Sequence, residues 1–311
     1  MNHPDLAANT MAGWDVTEDE PITASAGIAH STISAGIAAA VVNNQLGVAG
    51  MGNCTILPIN INGAISEMYN AIVWAADQGV RVVNLSWTGA DSPVLNAAGA
   101  YLKNKSEGLL FMAGVNGVGY LDYPNHPHIY CISMTDAADN MRSRHGDHID
   151  FAAPGWELFS TTIGSTYSSG TGTSYATPVV SGVAAVLMSI NPFLSADEVI
   201  DIIKSTAIDH GTPGWDQYFG WGRIAFDAAA SAAYNTLPRI TQADVNNQYT
   251  TLSVDYLPNR HYSVWRTLGW NPASWDKISN IILHTNGAVL SIQAPKATGG
   301  AEFYRIEVSL P

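Results

Sequence analysis

Two residues in this chain have the type and surroundings for nucleophilic chemistry, Ser174 and His30. Ser174 lies in Gly172-Thr173-Ser174-Tyr175-Ala176-Thr177-Pro178, just after Gly170. Beyond it Val179, Val183 and Leu187 fall on one helical row, and Val180 and Ala184 on the next. The pattern puts Ser174 where a glycine-rich loop enters a buried helix. Pro178 is expected in the first turn, where its missing N–H is no loss. Unpaired backbone N–H groups and the positive end of the helix dipole meet at such a place. A serine whose attack on a carbonyl creates an oxyanion needs that environment. Serine is also a preferred N-cap, so the motif alone fits a plain cap as well.

His30 precedes a run of small residues, with Ala35, Gly36 and Ala39 able to let a helix approach a neighbour closely. Imidazole takes and returns a proton near neutral pH, since its unperturbed pKa is about 6.5. Alone, a histidine before an alanine-rich helix reads as a cap or surface residue. Paired with Ser174 it reads as a general base.

The intervening elements would have to hold these two residues together. Residues 7–28 read as loop. Residues 55–61 read as a strand that Pro58 makes irregular. Ile65, Met68, Tyr69, Ile72, Val73 and Ala76 mark an amphipathic helix ended by Gly79. Residues 80–85 read as a buried strand, 92–106 as a helix, and 109–112 and 129–134 as strands. Ser195-Ala196-Asp197-Glu198 is a capping box before a further helix. Strand–helix alternation of this kind predicts an α/β fold, a mainly parallel sheet between helices, with ligands at the carboxyl ends of its strands.

Composition narrows the class. Apolar residues make up 47% of the 311 and charged residues 13%, which fits a globular chain with a large core. A net charge of −13 argues against nucleic acid or an anionic membrane as partner. No apolar run reaches the roughly 20 residues of a membrane span. Cys54 and Cys131 make no disulfide framework and read as buried thiols. Met1 does not open a signal-peptide pattern.

Gly-Thr-Ser-Tyr-Ala-Thr-Pro resembles the Gly-Thr-Ser-Met-Ala-x-Pro signature around the nucleophile of the subtilisin-like serine proteases, the subtilases, with Tyr175 in the place of methionine. Residues 30–36, His-Ser-Thr-Ile-Ser-Ala-Gly, resemble the family's His-Gly-Thr-His-Val-Ala-Gly; Ser31, Ile33 and Ser34 depart from it. Val83-Asn84-Leu85-Ser86-Trp87-Thr88-Gly89 resembles Ile-Asn-Met-Ser-Leu-Gly-Gly, whose backbone pairs with the peptide substrate. Ser86, Trp87, Thr88 and Gly89 are the implied substrate contacts, Trp87 reading equally well as a core aromatic. Phe111-Met112-Ala113-Gly114-Val115-Asn116-Gly117 resembles Ala-Ala-Gly-Asn-x-Gly. It implies Ala113 and Gly114 at the substrate and an oxyanion-hole asparagine. Direct alignment puts Val115 there, and Asn116 fits only with a one-residue bulge. Residues 123–132, 150–155 and 219–224 follow the family pattern too, so the resemblance runs over residues 2–235.

The resemblance also implies a structural calcium site from Asp5, the Asn44 side chain and the carbonyls of Val42, Leu46 and Val48; oxygen ligands of this kind suit calcium. Read without the family, residues 43–50 are an asparagine-rich turn. His3-Pro4-Asp5-Leu6 matches a stretch that follows the family's catalytic aspartate. The expectation is therefore that the aspartate-bearing strand lies upstream, in a longer product with its own propeptide. Asp15 and Asp19 precede His30 but fall on a surface loop in family terms. Residues 236–311 change character, with alternating runs such as 288–292 and 303–308 and Asn-Gly and Gly-Gly turns, and predict a small antiparallel β domain. Residues 262–265 and 303–305 resemble the β modules appended to secreted bacterial enzymes, and read as a packing or anchoring module rather than a carbohydrate binder. The expected function is a secreted or cell-surface endopeptidase acting on peptides or proteins. An inactive subtilase fold serving as a binding module, or a serine esterase, are the alternatives.

Overall fold

The computed structural model describes residues 2–22, 29–237, 240–246, 248–255, 260–268, 275–286, 289–296 and 302–309. The chain divides into two compact units, Met1–Ile190 with Ala196–Ala233, and Asn191–Ser195 with Tyr234–Pro311.

In the first unit, α1 (Ala29–Ala39) carries His30 in its first turn. Its small residues serve contact with a hairpin: Ser160 Oγ donates to the Ile33 carbonyl (3.0 Å) and Thr161 Oγ1 to that of Thr32 (2.7 Å). A Cβ on Gly36 would collide with both of those hydroxyls. Helix α2 (Ile65–Asp77) follows, and then the four-stranded parallel sheet, β1 (Val82–Leu85), β2 (Leu109–Ala113), β3 (Tyr130–Thr135) and β4 (Ile149–Pro154), paired in chain order. Helix α3 (Pro93–Ser106), with Ser92 accepting from the Leu95 N–H as its cap, links β1 to β2. Side chains alternate faces along β2. Leu110 and Met112 enter a core with Met68 and Ile72 of α2 and Leu95 and Leu102 of α3. Each such buried side chain contributes on the order of 1.5–3 kcal/mol.

The hairpin is β5 (Leu158–Thr162) with β6 (Thr166–Gly170), and α4 (Thr173–Ile190) leaves it to pack along all four strands of the sheet and against α1. By length and composition α4 could cross a membrane, but its packing is that of a core helix. Helices α5 (Ala196–Thr206) and α6 (Phe226–Asn235) follow.

Four expectations change. Residues 7–22 are not all loop: Trp14–Asp15 pairs antiparallel with Glu20–Pro21 and parallel with Ile59–Asn60, because Asp15 Oδ1 takes the Thr17 N–H (2.9 Å) and turns the chain. Residues 23–28 of that expected loop lie outside the described ones. The expected strand over 55–61 shrinks to Ile59–Asn60 and a bridge at Ile56. The Pro58 carbonyl still accepts the Trp14 N–H (3.0 Å). Residues 82–85 do not form a buried strand: among the described residues β1 is the edge of its sheet, with Val82, Val83 and Leu85 half-buried and Asn84 exposed. Of the two thiols expected to be buried, Cys131 is and Cys54 is only half-buried, its strand-like run having shrunk to a bridge at Ile56; both are free.

The second unit is antiparallel throughout its described strands. Strands β7 (Ile240–Val245), β8 (Tyr249–Asp255), β9 (His261–Leu268), β10 (Asp276–Lys277), β11 (Ile282–Asn286), β12 (Val289–Pro295) and β13 (Glu302–Ser309) form two sheets, in the orders β7-β8-β12-β11 and β10-β9-β13. Alternate residues of β8, Leu252 and Val254, bury with Leu290, Ile292 and Val264 in one core. Gly287 and Gly299-Gly300, from the expected turns, lie outside the described residues.

Candidate functional site

Helix α4 begins at Thr173, so Ser174 is its second residue and Pro178 lies in the helix interior, not in its first turn. The N–H of Ser174, in that first turn, has no acceptor within the helix. Pro178 has no N–H to give the carbonyl four residues back, which is that of Ser174. Two hydroxyls surround that carbonyl, Ser86 Oγ at 2.7 Å and Ser34 Oγ at 3.5 Å. The Ser174 hydroxyl itself lies 3.4 Å from the Ser86 carbonyl.

The strand end after β2 reaches the same turn. Thr173 donates its N–H to Asn116 Oδ1 (2.9 Å) and its hydroxyl to the Gly114 carbonyl (2.8 Å). The Asn116 amide also flanks Gly172, where a Cβ would lie 3.4 Å from Nδ2. With Oδ1 engaged by Thr173, the Nδ2 protons are the ones Asn116 can offer a ligand. Val115, the residue aligned with the family asparagine, instead gives its carbonyl to the Arg144 N–H (2.9 Å). Ala113 and Gly114 are buried, and Gly114 donates to the Ile132 carbonyl (3.0 Å). A Cβ on Gly114 would meet that oxygen at 2.9 Å.

His30 is half-buried, and its ring lies 5.2 Å from that of Tyr175, tilted by 41°. Burial alone lowers its pKa below the ordinary 6.5. Among the described residues no carboxylate is bonded to the imidazole. Asp15 is occupied at the surface by Asn60 Nδ2 (2.6 Å), and Asp19 sits exposed in a turn.

Of the expected substrate segment, Ser86 is half-buried, and Trp87 and Thr88 are exposed. Trp87, 46% exposed, is no core aromatic; its ring covers Gly63, where a Cβ would come within 2.6 Å of it. Gly89 has φ +128°, which favours glycine.

The Asp5 carboxylate is fully buried and surrounded by neutral donors. Asn44 Nδ2 lies 2.6 Å from Oδ1, and the Val48 N–H 2.9 Å and the Tyr167 hydroxyl 3.4 Å from Oδ2. Asn44 Oδ1 accepts the Leu46 N–H (2.9 Å). A buried carboxylate, an amide and a loop rich in carbonyls are a donor set that fits calcium. Turning the Asn44 amide would present Oδ1 beside Asp5, at the loss of the Leu46 bond.

Sequence reasoning did not assign Ser34, Asn84, Thr173 or Tyr175. Tyr175 was visible as a departure from the family motif, and Ser34 as a hydroxyl four residues after His30, one helical turn along. Thr173 and Asn84 gave no signal of their own beyond the motifs around them.

The model of the subtilase family matches residues 1–222. Thermitase of Thermoactinomyces vulgaris is 38% identical over 236 residues, 72% of this chain and 82% of thermitase. The halolysin-like extracellular serine protease Nep of Natrialba magadii is 34% identical over 247 residues, 74% of this chain but only 45% of Nep. Among solved structures, sphericase superimposes with a TM-score of 0.63 at 25% identity, over 72% of this chain and 86% of sphericase.

Proposed function

The chain belongs to the subtilase family, and on that premise we propose that it is a serine endopeptidase working through an acyl-enzyme. Serine peptidase chemistry is the class its relatives support; the roles that follow belong to this chain's own residues. Ser174 Oγ attacks the carbonyl carbon of the scissile peptide while His30 takes its proton. The oxyanion accepts from the Ser174 N–H and from Asn116 Nδ2, and loss of one such donor costs about 10²- to 10³-fold in turnover. The tetrahedral intermediate collapses, and His30 returns the proton to the leaving amine. Water, deprotonated by His30, then releases the acyl group from Ser174. The substrate backbone lies along Ser86, Trp87, Thr88 and Gly89 on one side and Ala113 and Gly114 on the other.

The observation that carries this is a convergence at one helical turn: Asn116 on the Thr173 N–H, and His30 against Tyr175, on either side of Ser174. The substrate is a peptide or protein. Action outside the cell is part of the proposal, motivated by the extracellular relative Nep. Calcium, if bound, is structural; Asp5, Asn44 and the carbonyls of Val42, Leu46 and Val48 would hold it, and it takes no part in the chemistry.

One observation favours a second reading, an inactive fold that binds peptide: no described carboxylate is bonded to His30. A fluorophosphonate reagent separates the two. It should label Ser174, and Ser174→Ala should abolish labelling. Labelling of a different serine, or none, would sink the enzymatic reading. Parallel peptide and ester substrates distinguish peptidase from esterase.

A further inference from the structure

The carbonyl of Ser174 is left without its helical donor by Pro178, and the donor found in its place is the side chain of Ser86, at 2.7 Å. Ser34 Oγ also approaches, but at 3.5 Å, and its single proton has a better acceptor in the His30 carbonyl at 3.0 Å. Ser86 is therefore the effective donor. It does not act alone. Its Oγ accepts from Asn84 Nδ2 (2.9 Å), and Asn84 Oδ1 accepts from Ser181 Oγ (3.1 Å), a residue two helical turns further along α4. The bonds run from α4, through the edge strand β1, and back to the first turn of α4. Ser181 Oγ has a second acceptor, the Thr177 carbonyl at 3.1 Å, so its single proton is shared, whereas Asn84 Nδ2 and Ser86 Oγ each donate to one acceptor along this path.

We propose that Ser86, oriented by Asn84, is a positioning residue that sets the main chain at Ser174 by replacing the helix bond that Pro178 removes. The inference rests on Ser174 being the nucleophile, and it gives the Ser86 side chain a role distinct from the backbone contact with substrate. The reciprocal approach of the Ser174 hydroxyl to the Ser86 carbonyl, 3.4 Å, means that the same residue touches the nucleophile from both sides. A shift of the Ser174 carbonyl would swing the next N–H groups of the turn and the serine side chain with it.

The test is a double-mutant cycle read by the rate of fluorophosphonate labelling of Ser174. Ser86→Ala should slow labelling roughly five- to tenfold, as expected for one lost neutral hydrogen bond. Ser86→Thr, which keeps the hydroxyl, should recover most of that loss. Asn84→Ala should slow labelling in the same direction. In Pro178→Ala the new N–H can reach the Ser174 carbonyl, so adding Ser86→Ala there should change the rate less than twofold. A merely structural Ser86 would show the same loss in both backgrounds, and that result would overturn the proposal. So would an unaltered rate in Ser86→Ala. The ¹³C′ chemical shift of carbonyl-labelled Ser174 reads the bond without any reactivity. If Ser174 is never labelled, yet its ¹³C′ shift moves in Ser86→Ala and not in Ser86→Thr, the bond stands and the enzymatic reading falls. No shift in Ser86→Ala removes the bond itself.

Discussion

At the scale of single residues, burial and hydrogen bonding set what each side chain of the site can do. His30 illustrates the consequence. Its imidazole is half-buried beside Tyr175, and burial disfavours the charged ring, so its pKa lies below 6.5. The neutral base therefore persists to lower pH than in a free histidine. The acid limb of kcat/KM for the 311-residue chain should fall below pH 6.5; a limb well above that value would mean that a carboxylate already stabilises the imidazolium. Ser174 and His30 were legible as candidates from residue type and flanking pattern. Asn116 needed geometry, because sequence could not say whether a bulge lets it, rather than Val115, reach α4. Ser86 was legible only as a backbone contact. Its side-chain role depends on where α4 starts: because the helix begins at Thr173, Pro178 falls in its interior rather than its first turn and leaves the Ser174 carbonyl without its helical donor.

Elements carry the next set of consequences. Strand β4 buries Asp150 without a cation bonded to it among the described residues. Burial pushes its pKa up to about 7, against the Cys131 N–H at 2.8 Å and the Asn125 amide, which pull it down. A carboxyl whose folded pKa exceeds its unfolded 3.8 binds its proton more tightly when folded. It contributes stability that is complete below about pH 3.8 and lost as pH rises through 7. Asp150→Asn keeps the acceptor for Cys131 and has no charge to bury. Its Tm should exceed that of the parent by roughly 3–10 °C at pH 8.5, with the gain vanishing near pH 4. Equal Tm differences at both pH values would remove Asp150 as the titrating group. The loop after α1 makes a separate prediction. If Asp5 and Asn44 hold calcium, then excess chelator should lower the Tm by roughly 5–10 °C, the amount expected for losing a ligand present at about a hundred times its Kd. A melting curve that ignores both chelator and added calcium would leave the Asp5 clasp as a metal-free hydrogen-bonded unit. The alternation of strands and helices was legible from apolar periodicity, since α2 and α3 present one apolar face each. The short pairing of Trp14–Asp15 was not, because two-residue strands are set by a turn and a partner distant in sequence.

At the scale of the whole first unit, the sheet ends at β1, and this is where the chemistry and the architecture meet. Parallel strands are usually covered on both faces and flanked by others, whereas Val82, Val83 and Leu85 are only half-buried and one side of their backbone is unpaired within the described sheet. Sequence alone suggested a buried strand there, since a run of Val-Val-Asn-Leu does not reveal which neighbours it lacks. Strand β1 leads directly into Ser86 and so to Ser174, and His30 has no carboxylate bonded to it among the described residues. An imidazole without a carboxylate is free to take the wrong tautomer and gains nothing on becoming charged, a deficit of about 10⁴-fold in turnover for a serine protease. Residues 1–311 alone should thus hydrolyse a chromogenic peptide about 10⁴-fold more slowly than a subtilase with all three groups. Fusing the aspartate-bearing strand of a subtilase relative in frame ahead of Met1 should raise the turnover and the Tm together. It should also move the acid limb of kcat/KM upward, because a carboxylate favours the charged ring. A matching fusion with Asn in place of that aspartate should raise the Tm alone, which separates pairing of an added strand from completion of the catalytic group. Full subtilase-like turnover by residues 1–311 without any fusion would overturn this prediction and show that an acid among those residues serves His30.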